Sequence, residues 1–237
     1  MRDWQPVLGL PLWVWLFVVP TALMLLCILR PAAMRRVLQP LWGALDRIYN
    51  GAGAIAALFM VAILLLIVGQ MGARWASLTF PGSTEYAGYA MAATSFFALA
   101  YTLTHGGHIR VSIFLNLGGR HHFWLDAGAM FISALTATYF ARYAIKTNVL
   151  SEMLNDRTQG QDFAPEWLLT AVSMFGTWPW NWAAIWAESG SGWVYMPVWL
   201  PQLPMSIGTV LLAIALWDYL ARMLVTGAPQ IKGEVLE

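Results

Sequence analysis

The chain has 237 residues, 59% of them hydrophobic and only 11% charged, with a net charge of +1. Soluble domains carry about 25% charged residues, so this composition, with a mean hydropathy of +0.60, marks an integral membrane protein. The near-neutral balance excludes the basic face that nucleic acid demands. A single cysteine, Cys27, excludes both a disulfide framework and a thiolate metal site.

Leu10 to Leu29 is an uncharged stretch long enough to span a core of about 30 Å. It ends in Arg30-Pro31-Ala32-Ala33-Met34-Arg35-Arg36, a stop and cytoplasmic anchor, and so reads as a retained helix rather than a cleaved signal peptide. Ile48 to Ala73, bounded by Arg47 and Arg74, is the clearest span, with its core at Ala54 to Val68. Trp75 to Ser83 is a short turn on the far side. Tyr86 to Thr104 is the next uncharged span, and Glu85 at its start has two readings. It is either a charge favoured by the helix dipole or a contact to a partner subunit.

A turn follows at Gly106-Gly107-His108-Ile109-Arg110-Val111-Ser112, whose charged groups hold it at the membrane surface. Phe123 to Thr147 is the next span, with Asp126 near its start and Arg142 and Lys146 near its end, as the dipole prefers. Asn148 to Glu166 is too polar for lipid. Trp167 to Ala187 lacks charge but is interrupted by Gly176, Pro179 and four tryptophans, Trp178, Trp180, Trp182 and Trp186. It reads as an interfacial or re-entrant segment rather than a span. Pro197, Pro201 and Pro204 are expected to break the chain before the last span, Met205 to Trp217.

Eight basic residues, Arg30, Arg35, Arg36, Arg47, Arg110, Arg120, Arg222 and Lys232, fall on one side of this arrangement and five on the other. The positive-inside rule then puts the His108 turn and the C-terminus in the cytoplasm, with five spans and the N-terminus outside. Without a span at Leu10–Leu29, four remain in the same orientation.

Little here could do chemistry. His105, His108, His121 and His122 all lie in one loop, so two histidines cannot reach a haem from separate spans. A zinc site there would lack a cysteine, and Asp126 alone adds a carboxylate. No nucleophile–base set or phosphate loop is present, and the central spans carry no charge of the kind that marks an ion pathway. No catalytic, cofactor or metal site is expected.

Glu85 opening a span, then Phe96-Phe97-Ala98-Leu99-Ala100-Tyr101, then Gly107-His108-Ile109-Arg110-Val111 resembles the small membrane subunit, DctQ type, of tripartite ATP-independent periplasmic (TRAP) transporters. In that family a helix begins near a glutamate and ends in His-Ile/Val-Arg-Val, usually followed by Asp, where this chain has Ser112. The stretch Pro197-Val198-Trp199-Leu200-Pro201-Gln202-Leu203-Pro204-Met205-Ser206-Ile207-Gly208 is similar to the family's entry into its last helix. The resemblance covers roughly residues 45–147 and 195–225. It implies an all-α four-helix core to which a first helix and a Trp-rich interfacial insert are added. The expected division is residues 1–44 (extra helix and cytoplasmic linker), 45–147 (three core helices), 148–199 (external insert), 200–225 (last core helix) and 226–237 (cytoplasmic tail).

The resemblance further implies a scaffold without its own substrate site. Such a subunit packs against a large permease that moves substrate and sodium in an elevator-like motion, and a periplasmic substrate-binding protein delivers organic acids without ATP. Carried over, Glu85, His108, Ile109, Arg110 and Val111 would stabilise the subunit and its interface, and Arg110 would pair with lipid phosphate or a partner carboxylate. The exposed aromatic density at Trp178, Trp180, Trp182 and Trp186 makes the insert a candidate docking face for an external partner. The rival reading is an accessory structural subunit of a respiratory or photosynthetic complex built on the same helices.

Overall fold

A computed structural model describes residues 6–106, 120–174 and 176–228. The described residues open on a small hairpin: β1 (Pro6–Val7) pairs antiparallel with β2 (Leu10–Pro11) through a turn at Leu8 and Gly9, both at positive φ. The Trp15 Nε1–H donates to the Val7 carbonyl at 3.0 Å. A π-helical turn (Val14–Val18) then leads into α1 (Val19–Leu29). The expected span from Leu10 is corrected by this hairpin, which takes up Leu10 and Pro11, so that the apolar helix is Val14–Leu29. Arg30 leaves helical geometry at φ −137° because a residue before proline is pushed out of the α region. Pro31 then opens the next helix, where its missing N–H costs nothing.

That helix, α2 (Pro31–Trp75), runs unbroken for 45 residues, about 68 Å at 1.5 Å per residue. The sequence suggested a linker before a span at Ile48; instead both belong to one helix. Residues 31–47 are rich in Ala, Leu, Met, Gln and Arg, all good helix formers. Their apolar members Met34, Leu38, Trp42 and Leu45 repeat every three or four positions and pack on the core, while Arg35, Arg36 and Arg47 stay exposed. Pro40 lies inside the helix, where it removes one backbone hydrogen bond.

The remaining long helices are α3 (Ser83–Thr104), α4 (Arg120–Met153) and, after the insert, a last helix from Trp199 to Thr226. Pro201 and Pro204 do not break the chain as expected: Pro201 sits in the first turn of that last helix, where N–H groups have no intrahelical acceptor to lose, and Pro204 lies inside the helix at the loss of one backbone hydrogen bond. Among the described residues, α2 and the last helix are long and apolar enough to cross a membrane. The all-α membrane class expected from the sequence is the class observed.

The described chain divides into two compact units. The first comprises 1–58, 93–146 and 204–237. Its interior is built from small residues, among them Ala52, Ala56, Ala93, Ala100, Ala134, Ala137, Ala141 and Ala215, whereas Leu58, Ile132, Tyr139 and Phe140 point outward. Small residues inside and large ones outside is the packing expected where lipid, not water, surrounds the helices. Polar side chains bond between helices: Thr94 to the Ala56 carbonyl at 3.4 Å, Ser206 to the Ala144 carbonyl at 3.2 Å, and the Trp217 indole to the Thr138 hydroxyl at 2.9 Å.

The second unit comprises 59–92 and 147–203. Its insert is pinned by β3 (Phe163–Pro165) against β4 (Trp193–Tyr195), with Phe163 opposite Tyr195 and Pro165 opposite Trp193. Arg157 and Pro197 form one further bridge. Between the strands lie α5 (Glu166–Met174), a 3₁₀ turn (Pro179–Asn181) and α6 (Trp182–Ala187), after which the helix Trp199–Thr226, α7, begins. At nine and six residues, neither α5 nor α6 approaches the roughly 20 residues a crossing needs. Trp167–Ala187 is therefore not a transmembrane helix, as the sequence indicated.

Candidate functional site

Two buried polar networks stand out, one in each unit. In the second, Asp162 is fully buried, and its carboxylate accepts hydrogen bonds from the Tyr89 hydroxyl and from the Thr158 hydroxyl, the latter at 2.9 Å. The Tyr86 hydroxyl donates to the Phe163 carbonyl at 2.6 Å. Glu85 accepts from the Gln161 N–H at 3.3 Å, which ties the start of α3 to the segment before β3. Gly82, at φ +75°, lets the chain pass here, since a Cβ would lie 2.7 Å from the Gln161 carbonyl oxygen. Replacing Asp162 with alanine would leave two hydroxyls without their acceptor, at a cost of about 1–3 kcal/mol. The expected outcome is faster hydrogen–deuterium exchange across residues 156–198, with a smaller change for Tyr89→Phe.

The network of the first unit centres on Arg222. Its guanidinium meets Asp218 as a fork, Nε at 3.1 Å and Nη2 at 2.7 Å, and reaches Asp46 at 2.8 Å. It also donates to the Trp42 carbonyl at 3.4 Å and lies over the Trp42 and Tyr219 rings, 5.3 and 4.7 Å from their centroids. The Tyr49 hydroxyl donates to Asp218 at 3.3 Å. The Arg222 and Asp218 side chains are 10% and 6% exposed and Asp46 44%. An arginine so enclosed is a clasp between the N-terminal arm of α2 and α7, not a free charge for transport. In the sequence Asp218 and Arg222 lie just past the apolar run that ends at Trp217. Their i, i+4 spacing was visible, but nothing local pointed to Asp46 or Tyr49.

The surfaces left open are apolar. Along α2, Leu58, Met60, Val61, Leu64, Leu65, Ile67 and Val68 are exposed, Leu58 by 68%. In the insert, Trp178 and Trp180 stack at 5.0 Å with their planes 3° apart, and Trp180 is 74% exposed. The Trp182 indole donates to the Thr177 carbonyl at 3.3 Å. Trp182 and Trp186 line a half-open pocket of about 220 Å³ with Ala171 and Met174. The four tryptophans singled out from the sequence thus share one helical hairpin. His108, Ile109, Arg110 and Val111 lie outside the described residues. His105 stacks on Tyr101 at 4.0 Å. Among the described residues no group of three or more His, Cys, Asp or Glu side chains could hold a metal ion.

The family model described as tripartite ATP-independent periplasmic transporters, DctQ component, matches residues 63–177. No curated protein and no solved structure matches the chain. The matched stretch begins within α2, takes in α3, α4 and α5, and ends just before Trp178. The later stretch from Pro197 to Gly208 lies beyond it.

Proposed function

We propose, from the premise that residues 63–177 match the DctQ component of tripartite ATP-independent periplasmic transporters, that this chain is the small scaffold subunit of such a secondary transporter. In this reading it packs against a large permease subunit in the bacterial inner membrane and works with a periplasmic substrate-binding protein to take up organic acids. The His108 turn and the C-terminus face the cytoplasm, and the aromatic hairpin of the insert meets the external partner.

The observation that carries the reading is the bare shaft of α2. A helix with Leu58, Leu64 and Leu65 all more than half exposed is stable only against lipid or another protein's helices, and Arg222 is neutralised internally by Asp218 and Asp46. Such a chain has much to pack with and little to transport with.

Purification from native membranes in mild detergent, followed by mass spectrometry of whatever is retained, tests this. Recovery of a large polytopic permease is the expected result. Recovery of a redox or light-harvesting assembly would transfer the chain to the accessory-subunit reading and end the transport one. Replacing residues 167–191 by a short glycine linker is expected to weaken uptake but not permease retention, and unchanged uptake would remove the hairpin from partner docking.

A further inference from the structure

At the end of α2, three polar side chains line one open groove of about 430 Å³. They are the Gln70 amide, the Arg74 guanidinium and the Ser77 hydroxyl, with Leu78 and Phe80 supplying an apolar wall. Phe80 rests its ring over Gly69, where an added Cβ would lie 3.7 Å from it. We propose that this groove binds the phosphodiester headgroup of an anionic phospholipid, whose acyl chains run along the adjoining apolar face of α2.

None of the three polar side chains has a side-chain partner among the described residues, unlike Arg222, which is fully engaged. Gln70 and Arg74 are one helical turn apart and so share a face. Ser77 stands at φ +56°, in a helix-ending turn closed by the Leu78 N–H on the Ala73 carbonyl at 2.8 Å. Glycine is the usual occupant of such a left-handed position, so the serine puts a hydroxyl where the backbone would be easier without a side chain. A guanidinium fork, an amide and a hydroxyl form a donor set suited to phosphate oxygens.

The neighbourhood selects a lipid over a protein carboxylate. Arg74 ends a shaft on which Leu64, Leu65, Ile67, Val68 and Met71 are exposed, and Trp75 beside it is 81% exposed. An arginine and a tryptophan at the end of an apolar span sit at headgroup depth. The groove's volume falls in the range of small-molecule sites, more than one carboxylate tip would fill, and its apolar wall fits a glycerol backbone.

The test is native mass spectrometry of the full chain released from nanodiscs of mixed phosphatidylglycerol and phosphatidylcholine. The wild type is expected to retain phosphatidylglycerol. Arg74→Ala should lower its occupancy about tenfold, as losing a charge-assisted donor pair implies. Arg74→Lys should fall between, and the control Arg36→Ala should match the wild type. Should Arg74→Ala fail to fold, Gln70→Leu combined with Ser77→Ala serves instead, with a severalfold loss expected. Equal retention by the variants, equal retention of phosphatidylcholine, or ready displacement by inorganic phosphate would overturn the assignment. So would an unchanged lipid adduct in a variant that no longer retains a co-purifying protein, since that would make Arg74 a protein contact. The readout needs no transport, so it stands or falls apart from the transporter reading.

Discussion

Arg222→Ala is expected to be the most damaging single substitution in the described chain, lowering stability by roughly 3–5 kcal/mol. The cost comes from what is left behind more than from what is lost. Asp218, 6% exposed, would keep a negative charge with no cation, and Asp46 would lose the guanidinium at 2.8 Å. The half-exposed Asp46 contributes less, because solvent screens it. Arg222→Lys should recover only part of the loss, since an ammonium cannot make the two-pronged contact to Asp218 or lie flat over Trp42 and Tyr219. The double change Arg222→Met with Asp218→Leu should be milder than Arg222→Ala alone, since an apolar pair replaces an orphaned charge. Thermal unfolding in detergent, followed by the loss of the monodisperse chromatographic peak, ranks the three. Equal damage from the single and double changes would mean that the clasp acts through packing rather than charge.

Gly208→Val is expected to rank second. A Cβ at this position would meet the backbone of Phe96, lying 2.6 Å from its carbonyl carbon, so α7 and α3 would have to separate. Forced separation of packed helices costs about 1–3 kcal/mol or more, and Gly208→Ala should already show much of it. Gly53→Ala makes the instructive comparison. There the obstructing atoms belong to the Tyr101 side chain, Cδ2 at 2.5 Å, Cγ at 2.6 Å and Cβ at 3.1 Å, so relief needs a change at one side chain rather than the parting of two backbones. The same thermal measurement should find Gly208→Ala clearly worse than Gly53→Ala, and the reverse order would refute the direct backbone contact.

The class of the protein and most of its long helices were legible because apolar run length carries that signal directly. The hairpin at Trp167–Ala187 was legible as a non-span because Gly176, Pro179 and the tryptophans interrupt it. The stretch from Pro197 to Gly208 is legible as the entry to the last helix, and the approach of the Phe96 backbone gives Gly208 its physical reason. The α2 arm was missed because charge was read as loop, although Met34, Leu38, Trp42 and Leu45 already spelt an inward stripe. A cleaner signal lies on α4. There Ala127, Met130, Ala134, Ala137, Ala141, Ala144, Asn148 and Ser151 are all buried, alternating steps of three and four, the spacing of a helix seam. Hydropathy averages hide such a stripe, since alanine is only weakly apolar. The Arg222 clasp could not have been read locally, as Asp46 stands 176 residues away.

The β3–β4 clasp has one more consequence. Phe163 faces Tyr195 and Pro165 faces Trp193, so the segment between the strands begins and ends at nearly the same place within the second unit. Whatever is strung between those strands adds little loop-closure entropy as it lengthens. The aromatic hairpin is thus an exchangeable cassette. It can be shortened, extended or replaced at little loop-closure cost, and an experimenter can splice a reporter domain between Pro165 and Trp193 on the same terms.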